Sequence, residues 1–309
     1  MMGRSVEIPY QSFTFSIRLQ RRVRFDVYPT FVFRSILGKE LRRMSCPFSG
    51  KKKCDVCGLK NQCVYSQLFE SPIEKDTGFL EGRNRGIHPF TLYSSTGLNV
   101  KTNQLSLVFT LVGKNVLNFP YVYKALINGG KAGVLKDRVP FSIEDVTVDG
   151  LSVIDADGSL KDNSSKCWSF QNRKSPSVSG CCIELCSPVR LKAGGRFVSA
   201  IVYSQLLASI QRRVNVIGPL YVPGWHGEVQ WDVPERQVKN RVHWLDLPHF
   251  SARQRKLILM GGLVGTAEIG EEITTREFSL LKAGEIFHVG KNPGFGLGKI
   301  MVRQYKISK

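Results

Sequence analysis

The stretch Phe13–Met44, FTFSIRLQRRVRFDVYPTFVFRSILGKELRRM, changes its hydrophobic period once. Phe13, Phe15, Ile17 and Leu19 alternate with polar residues, which predicts a strand with one buried face. Phe33, Leu37, Leu41 and Met44 then fall at helical spacing, which predicts a helix over 30–44 capped by Thr30 and weakened by Gly38. The pattern continues with strands over 89–95 and 104–113 around a turn near Gly97. A second helix is expected over 120–127, stopped by Gly129-Gly130, and then a strand over 142–154 broken by Gly150. The order is strand, helix, strand, strand, helix, strand.

The rhythm then repeats. A strand is expected over 182–191 and a helix over 197–214. Two β-rich stretches follow, over 227–233 and 257–269, then a short helix over 275–287 and a last strand over 299–307. Two βαββαβ units in tandem give an α+β chain of two ferredoxin-like domains, the topology also used by RNA-recognition modules. The expected organisation is an N-terminal domain over 1–155, a polar linker over 156–179 and a C-terminal domain over 180–309. A cysteine-rich insertion is expected at 46–70, after the first helix.

The 309 residues carry a formal net charge of +19, from 44 Lys and Arg against 25 Asp and Glu. A basic folded chain favours a polyanionic partner, and nucleic acid is the usual one. The charge is uneven: residues 1–53 hold twelve Lys and Arg against Glu7, Asp26 and Glu40. A chain that is 42% hydrophobic is not a disordered tail. No apolar run reaches the ~18–20 residues of a membrane span, and the start lacks a secretory pattern, so a cytoplasmic protein is expected.

Three segments could carry chemistry. The run HVGKNPGFGLGK, 288–299, places Gly290, Gly294, Gly296 and Gly298 between a helix and a strand, with Lys291 and Lys299 at its ends. Such a turn can approach an anion closely through backbone N–H groups. It has neither the spacing of a phosphate-binding P-loop nor the helix that follows a dinucleotide fingerprint. Cys46, Cys54, Cys57 and Cys63, spaced C-x7-C-x2-C-x5-C, could hold a structural zinc ion, with nearby lysines lowering the thiol pKa values. The alternative is a loop of unmetallated thiols. The segment HWLDLPHFSARQRK, 243–256, interleaves aromatics with Arg253, Arg255 and Lys256, a pattern suited to unpaired bases and phosphates. A basic loop around a buried Trp244 is the plainer reading. There is no GxSxG, no HExxH and no carboxylate cluster, so protease and two-metal nuclease chemistry lack residues.

The runs ARQRKLILMGGLVG (252–265) and HVGKNPGFGLGK together resemble the C-terminal signature of the CRISPR repeat-processing endoribonucleases, the Cas6 family of repeat-associated RNA-binding (RAMP) proteins. SPVRLK (187–192), the QRR of 211–213, FRSILGKELRRMSC and CVYSQLFES are similar to the same family, so the resemblance covers most of the chain. It implies cleavage of precursor CRISPR RNA within each repeat, with no metal cofactor. The upstream 2′-hydroxyl attacks in line and leaves a 2′,3′-cyclic phosphate and a 5′-hydroxyl, and the protein stays on the mature crRNA. Many members place a catalytic histidine in or near the first helix, and this chain has none there. The catalytic candidates are therefore Tyr28, Arg34, Lys39 and His249. Arginine, with a pKa above ~12, would stabilise the phosphorane rather than act as base. The RNA-binding candidates are Arg42, Arg43, Arg212, Arg213, Arg253, Arg255, Gly290, Lys291, Gly294, Gly296, Gly298 and Lys299. Repeat RNA is the implied partner, with other CRISPR effector subunits beside it and no membrane. The alternative function is a crRNA-binding subunit of an effector complex that does not cut.

Overall fold

The computed structural model describes residues 6–48, 53–73, 85–161, 165–170, 176–178, 180–251 and 256–305. The chain divides into two compact units. The first holds Pro9–Lys166 and Pro219–Pro223; the second holds Met1–Ile8, Cys167–Gly218 and Gly224–Lys309.

In the first unit the elements are β1 (Glu7–Arg24), α1 (Pro29–Ser45), β2 (Phe90–Ser94), β3 (Lys101–Val112), α2 (Phe119–Ala132) and β4 (Phe141–Val148). The sheet order is β2-β3-β1-β4, all antiparallel, which is the ferredoxin-like arrangement. The alternation in β1 sets the register: Phe13 pairs with Phe109, Phe15 with Leu107 and Ile17 with Leu105. All six side chains are buried. Each is worth roughly 1.5–3 kcal/mol of burial before entropy. Phe33, Leu37 and Leu41 of α1 complete this core.

Several boundaries differ from the sequence expectation. Helix α1 begins at Pro29, which favours the first helical turn, and Thr30 is buried inside it instead of capping it. Helix α2 runs through Gly129-Gly130 and ends at Gly133, whose φ of 78° suits a helix terminus. The two glycines serve packing. A Cβ on Gly129 would stand 2.2 Å from Ile36 Cγ2 of α1, and one on Gly130 would stand 2.3 Å from the Phe141 carbonyl oxygen. After β4, Asp149 and Gly150 both have positive φ, and a two-residue hairpin returns the chain along Leu151–Ser152.

In the second unit the elements are β5 (Cys181–Val189), α3 (Tyr203–Tyr221), β6 (Lys239–Leu245), β7 (Gly262–Ile269), α4 (Thr275–Phe287) and β8 (Ile300–Gln304). The order β6-β7-β5-β8 repeats that of the first unit. A capping box starts α4: Thr274 and Glu277 each accept from the other's backbone N–H. Helix α3 begins later than expected because Gly194 and Gly195, both at positive φ, fold Lys192–Phe197 into a small hairpin. The expected strand over 227–233 does not form. The Asn215 side-chain amide instead holds Val229, accepting from its N–H and donating to its C=O. The second strand of the repeat is Lys239–Leu245, so the segment expected as one basic loop, 243–256, divides between β6 and a hairpin pairing Pro248–Ser251 with Lys256–Leu259. Of the expected linker, Trp168 is buried in this unit, where its indole N–H donates to the Ser279 carbonyl. No described helix is long and apolar enough to cross a membrane.

Candidate nucleic-acid interface

Two motifs a hundred residues apart in sequence meet in the second unit. SPVRLK runs from the end of β5 to the start of the Lys192–Phe197 hairpin, and the glycine-rich run joins α4 to β8. Gly298 N–H donates to the Pro188 carbonyl at 3.0 Å, Lys299 N–H to Ser187 Oγ at 2.9 Å and Lys291 N–H to the Arg190 carbonyl at 3.1 Å. Gly290 and Gly298 hold φ of 73° and 79°. A Cβ on Gly290 would stand 2.4 Å from the Arg190 oxygen, and one on Gly298 2.0 Å from the Val289 oxygen. Only glycine fits both the dihedral and the approach.

This loop is not an open nest of amides. The N–H groups of Val289, Lys291, Phe295, Gly296, Leu297, Gly298 and Lys299 are spent on protein acceptors. Gly294, Gly296 and Gly298 are buried. Lys299 turns inward, and its Nζ donates to the Glu285 carbonyl at 2.6 Å. Burial holds its pKa below the usual lysine value. Lys291 is the exposed cation of the loop. His288 is buried with Nδ1 at 3.0 Å from the Leu297 carbonyl. Burial, with Lys299 and Arg213 nearby, keeps the ring neutral.

Arg213 on α3 donates from Nη2 to the Gly290 carbonyl. Burial lowers its pKa to about 10, which leaves it charged at neutral pH. The Nε groups of Arg213 and Arg190 are buried without a hydrogen-bond partner. Arg212 is exposed. The hairpin at Lys192–Phe197 places Phe197 beside this end of β5. The Arg190 guanidinium lies 4.7 Å from the Phe197 ring centroid and Lys192 Nζ lies 4.9 Å from it. Trp244 stands 5.7 Å from the same ring, inclined at 52°. Phe197 and Trp244 are 38% and 39% exposed, so Trp244 is not the buried residue of the plainer reading. His249 stacks edge-on against Phe295 of the glycine loop at 5.3 Å. Arg253 and Arg255 lie outside the described residues.

The first unit distributes its candidates differently. Arg34 is packed between aromatic rings, 4.7 Å from Phe69 and 5.7 Å from Phe90. Its Nη2 lies 2.9 Å from His88 Nε2. A guanidinium only donates, so Nε2 is the acceptor and the His88 proton sits on Nδ1, near Ser71 Oγ. Burial, then Arg34, lowers the His88 pKa to about 3. Burial also lowers the Arg34 pKa, to about 10. Tyr28 is buried against Phe31. Lys39 is exposed; Arg43 is exposed and bonds Glu40; Arg42 lies 5.5 Å from the Tyr65 ring. Among the described residues no group of three or more His, Cys, Asp or Glu is arranged to hold a metal ion.

The sequence reading did not place Arg190, Lys192, Phe197 or His88 among the site residues. The first two stand in SPVRLK, which the family resemblance already marks, and that motif is the signal that points to them. Phe197 was hidden by its assignment to a helix.

Residues 183–300 match the family model of the CRISPR-associated endoribonuclease Cas6. Over these residues the chain is similar to the Cas6 family. Residues 8–164 match a second family model, that of an N-terminal domain (AF_1859_N). Among solved structures, a Cas6 (TTHB231) product complex is similar with a TM-score of 0.57 at 14% identity, covering 96% of this chain and 99% of that one. Thermus thermophilus Cas6 (TTHB231) gives 0.53 at 11% identity, with the same coverage. A partial Cas6-RT-Cas1–Cas2 complex gives 0.50 at 12% identity, covering 99% of this chain and 47% of that one. At such identities the likeness is one of fold. No curated protein matches the sequence.

Proposed function

We propose that this chain binds CRISPR repeat RNA and cleaves it without a metal ion, by attack of the 2′-hydroxyl on the adjacent phosphate. The observation that carries the binding half is the junction of SPVRLK with the glycine loop, inside the segment that matches the Cas6 model. There Arg190 and Arg213 hold buried, unpartnered donors, and Lys192 and Lys291 add charge. A phosphodiester is matched by the exposed charges of Lys192 and Lys291 beside the half-buried Arg213, and Phe197 with Trp244 gives an unpaired base a face to stack on. The Cas6 structures with similar fold include a product complex, which agrees with RNA as the partner.

Cleavage requires a group to take the 2′-hydroxyl proton, cations for the phosphorane and an acid for the leaving 5′-oxygen. His249 is the candidate for proton transfer in the second unit: it is half-buried beside Phe295 of the glycine loop. Lys39 is the exposed candidate cation of α1. Arg34 and Tyr28 sit inside packing, so their contribution is to hold α1 in place. In-line geometry imposed on bound RNA supplies much of the remaining acceleration.

A second reading, a crRNA-binding subunit that does not cut, is favoured by one observation: Arg34 and His88 satisfy each other in an aromatic pocket. The two readings part in one assay. Repeat RNA from the same locus is incubated with the full chain in EDTA, and the ends are mapped. The cutting reading gives a 2′,3′-cyclic phosphate and a 5′-hydroxyl; intact RNA held in a stable complex supports the second reading. Cleavage that appears only with magnesium overturns the proposed mechanism.

A further inference from the structure

The segment 46–63 leaves α1 and packs poorly. Phe48, Val56 and Leu59 are exposed. Among its described residues none is buried, and those that are half-covered are Cys46, Cys54, Cys57, Cys63 and Lys60. The half-covered side chains of this loop are therefore four thiols and one lysine, while its apolar residues stay largely exposed. A loop that turns its thiols inward and its apolar residues outward has no core of the ordinary kind.

The backbone brings the thiols together. Cys46 ends α1, its N–H donating to the Arg42 carbonyl at 3.0 Å. A single 3-10 turn spans Cys54–Val56, closed by Cys57 N–H on the Cys54 carbonyl at 3.1 Å, so the CxxC pair shares one side of the turn. Cys63 N–H returns to the Leu59 carbonyl at 2.9 Å. All four cysteines line one cavity of about 20 Å³, walled by Pro47, Leu59 and Tyr65. A void of ~10–15 Å³ admits one water-sized particle, so this one has room for a single ion. As placed, the side chains do not form a coordinating set, and Cys63 Sγ points to the Ser45 carbonyl at 3.7 Å.

We propose that Cys46, Cys54, Cys57 and Cys63 bind one zinc ion as a tetrahedral four-thiolate site that pins this loop to the end of α1. Binding forms four Zn–S bonds and releases the four thiol protons to solvent. The resulting complex carries two negative charges, and Lys60 and Arg42 lie on the same loop and helix end to offset them. Four sulfur ligands fill the tetrahedron and leave no position for water, so the ion is structural and independent of the cleavage chemistry.

The experiment is metal analysis of the full chain, purified without chelator, beside a Cys54→Ser/Cys57→Ser variant. One zinc per chain is expected, lost in the variant. Because the variant can fail to fold, wild type is also loaded with cobalt, where intense visible d–d bands and a thiolate charge-transfer band report tetrahedral sulfur ligation. Alkylation mapped by peptide mass is the third readout: the four thiols should be protected relative to the exposed Cys167 until a chelator is added. Absence of stoichiometric zinc with four thiols as reactive as Cys167 overturns the proposal. So does iron in place of zinc, or two disulfides among these cysteines.

Discussion

His88 shows how a single buried residue ties this fold to pH. Its ring is held neutral in the folded chain, with a pKa of about 3 against an ordinary 6.5, because burial and then Arg34 oppose its protonation. The unfolded chain therefore binds more protons than the folded one below pH ~6.5, and stability falls as pH drops towards 3. At 1.36 kcal/mol per unit, the loss between pH 6.5 and pH 5 is about 2 kcal/mol. We expect His88→Gln to remove about that much of the difference in urea-unfolding free energy between pH 7 and pH 5. An unchanged difference would mean that His88 is not held neutral. His288, neutral for the same reason in the second unit, keeps its own share of the slope. The cysteines make the same point in the opposite direction. Nearby lysines led to an expectation of depressed thiol pKa values, yet the Cys54 thiol is pushed up, by burial first and then by Glu70, with Arg42 opposing and Cys63 and Cys46 adding to the rise. Burial is a property of the fold, and the sequence does not display it.

At the scale of elements, glycines decide two contacts. The α1–α2 pair depends on Gly129, whose hypothetical Cβ meets Ile36 Cγ2. Gly129→Ala should cost about 1–3 kcal/mol by overpacking. Ile36→Leu removes the Cγ2, so the double variant should be more stable than the sum of the singles by about 1 kcal/mol, measured as a coupling energy in denaturant unfolding. Strict additivity would argue against this contact. The Lys192–Phe197 hairpin carries the second prediction. Phe197→Ala and Trp244→Ala should each weaken binding of repeat RNA by about 1–3 kcal/mol, roughly five- to 150-fold, with melting temperature unchanged. A drop in stability without a drop in affinity would return the pair to ordinary packing. The periodicity of β1 and α1 was readable because each buries one continuous face. The Lys192–Phe197 hairpin was not, since two glycines set its turn and the apolar residues beyond it also fit a helix. The Gly129-Gly130 pair read as a stop signal because the partner helix that needs its small size is ninety residues away.

For the whole molecule, the repeated sheet order is what the sequence made plainest: two periodic βαββαβ runs became two ferredoxin-like sheets. The candidate site was legible in part. The glycine run stood out, but its role did not, because its amides are occupied by β5 and by the loop itself. The cations that flank it, Arg190 and Arg213, come from segments 100 and 77 residues before Gly290 of the loop. On the proposed function, a net charge of +19 would serve RNA through a few fixed cations and two aromatic faces, and the binding should weaken steeply with salt. The central claim is that the RNA's own 2′-hydroxyl is the nucleophile. It is tested most directly by single-turnover cleavage of repeat RNA in EDTA, comparing the all-ribose substrate with one bearing a single 2′-deoxy nucleotide 5′ to the cut. The account predicts cleavage of the first and none of the second, with both bound equally well. Cleavage of the 2′-deoxy RNA, or of neither RNA, would contradict it.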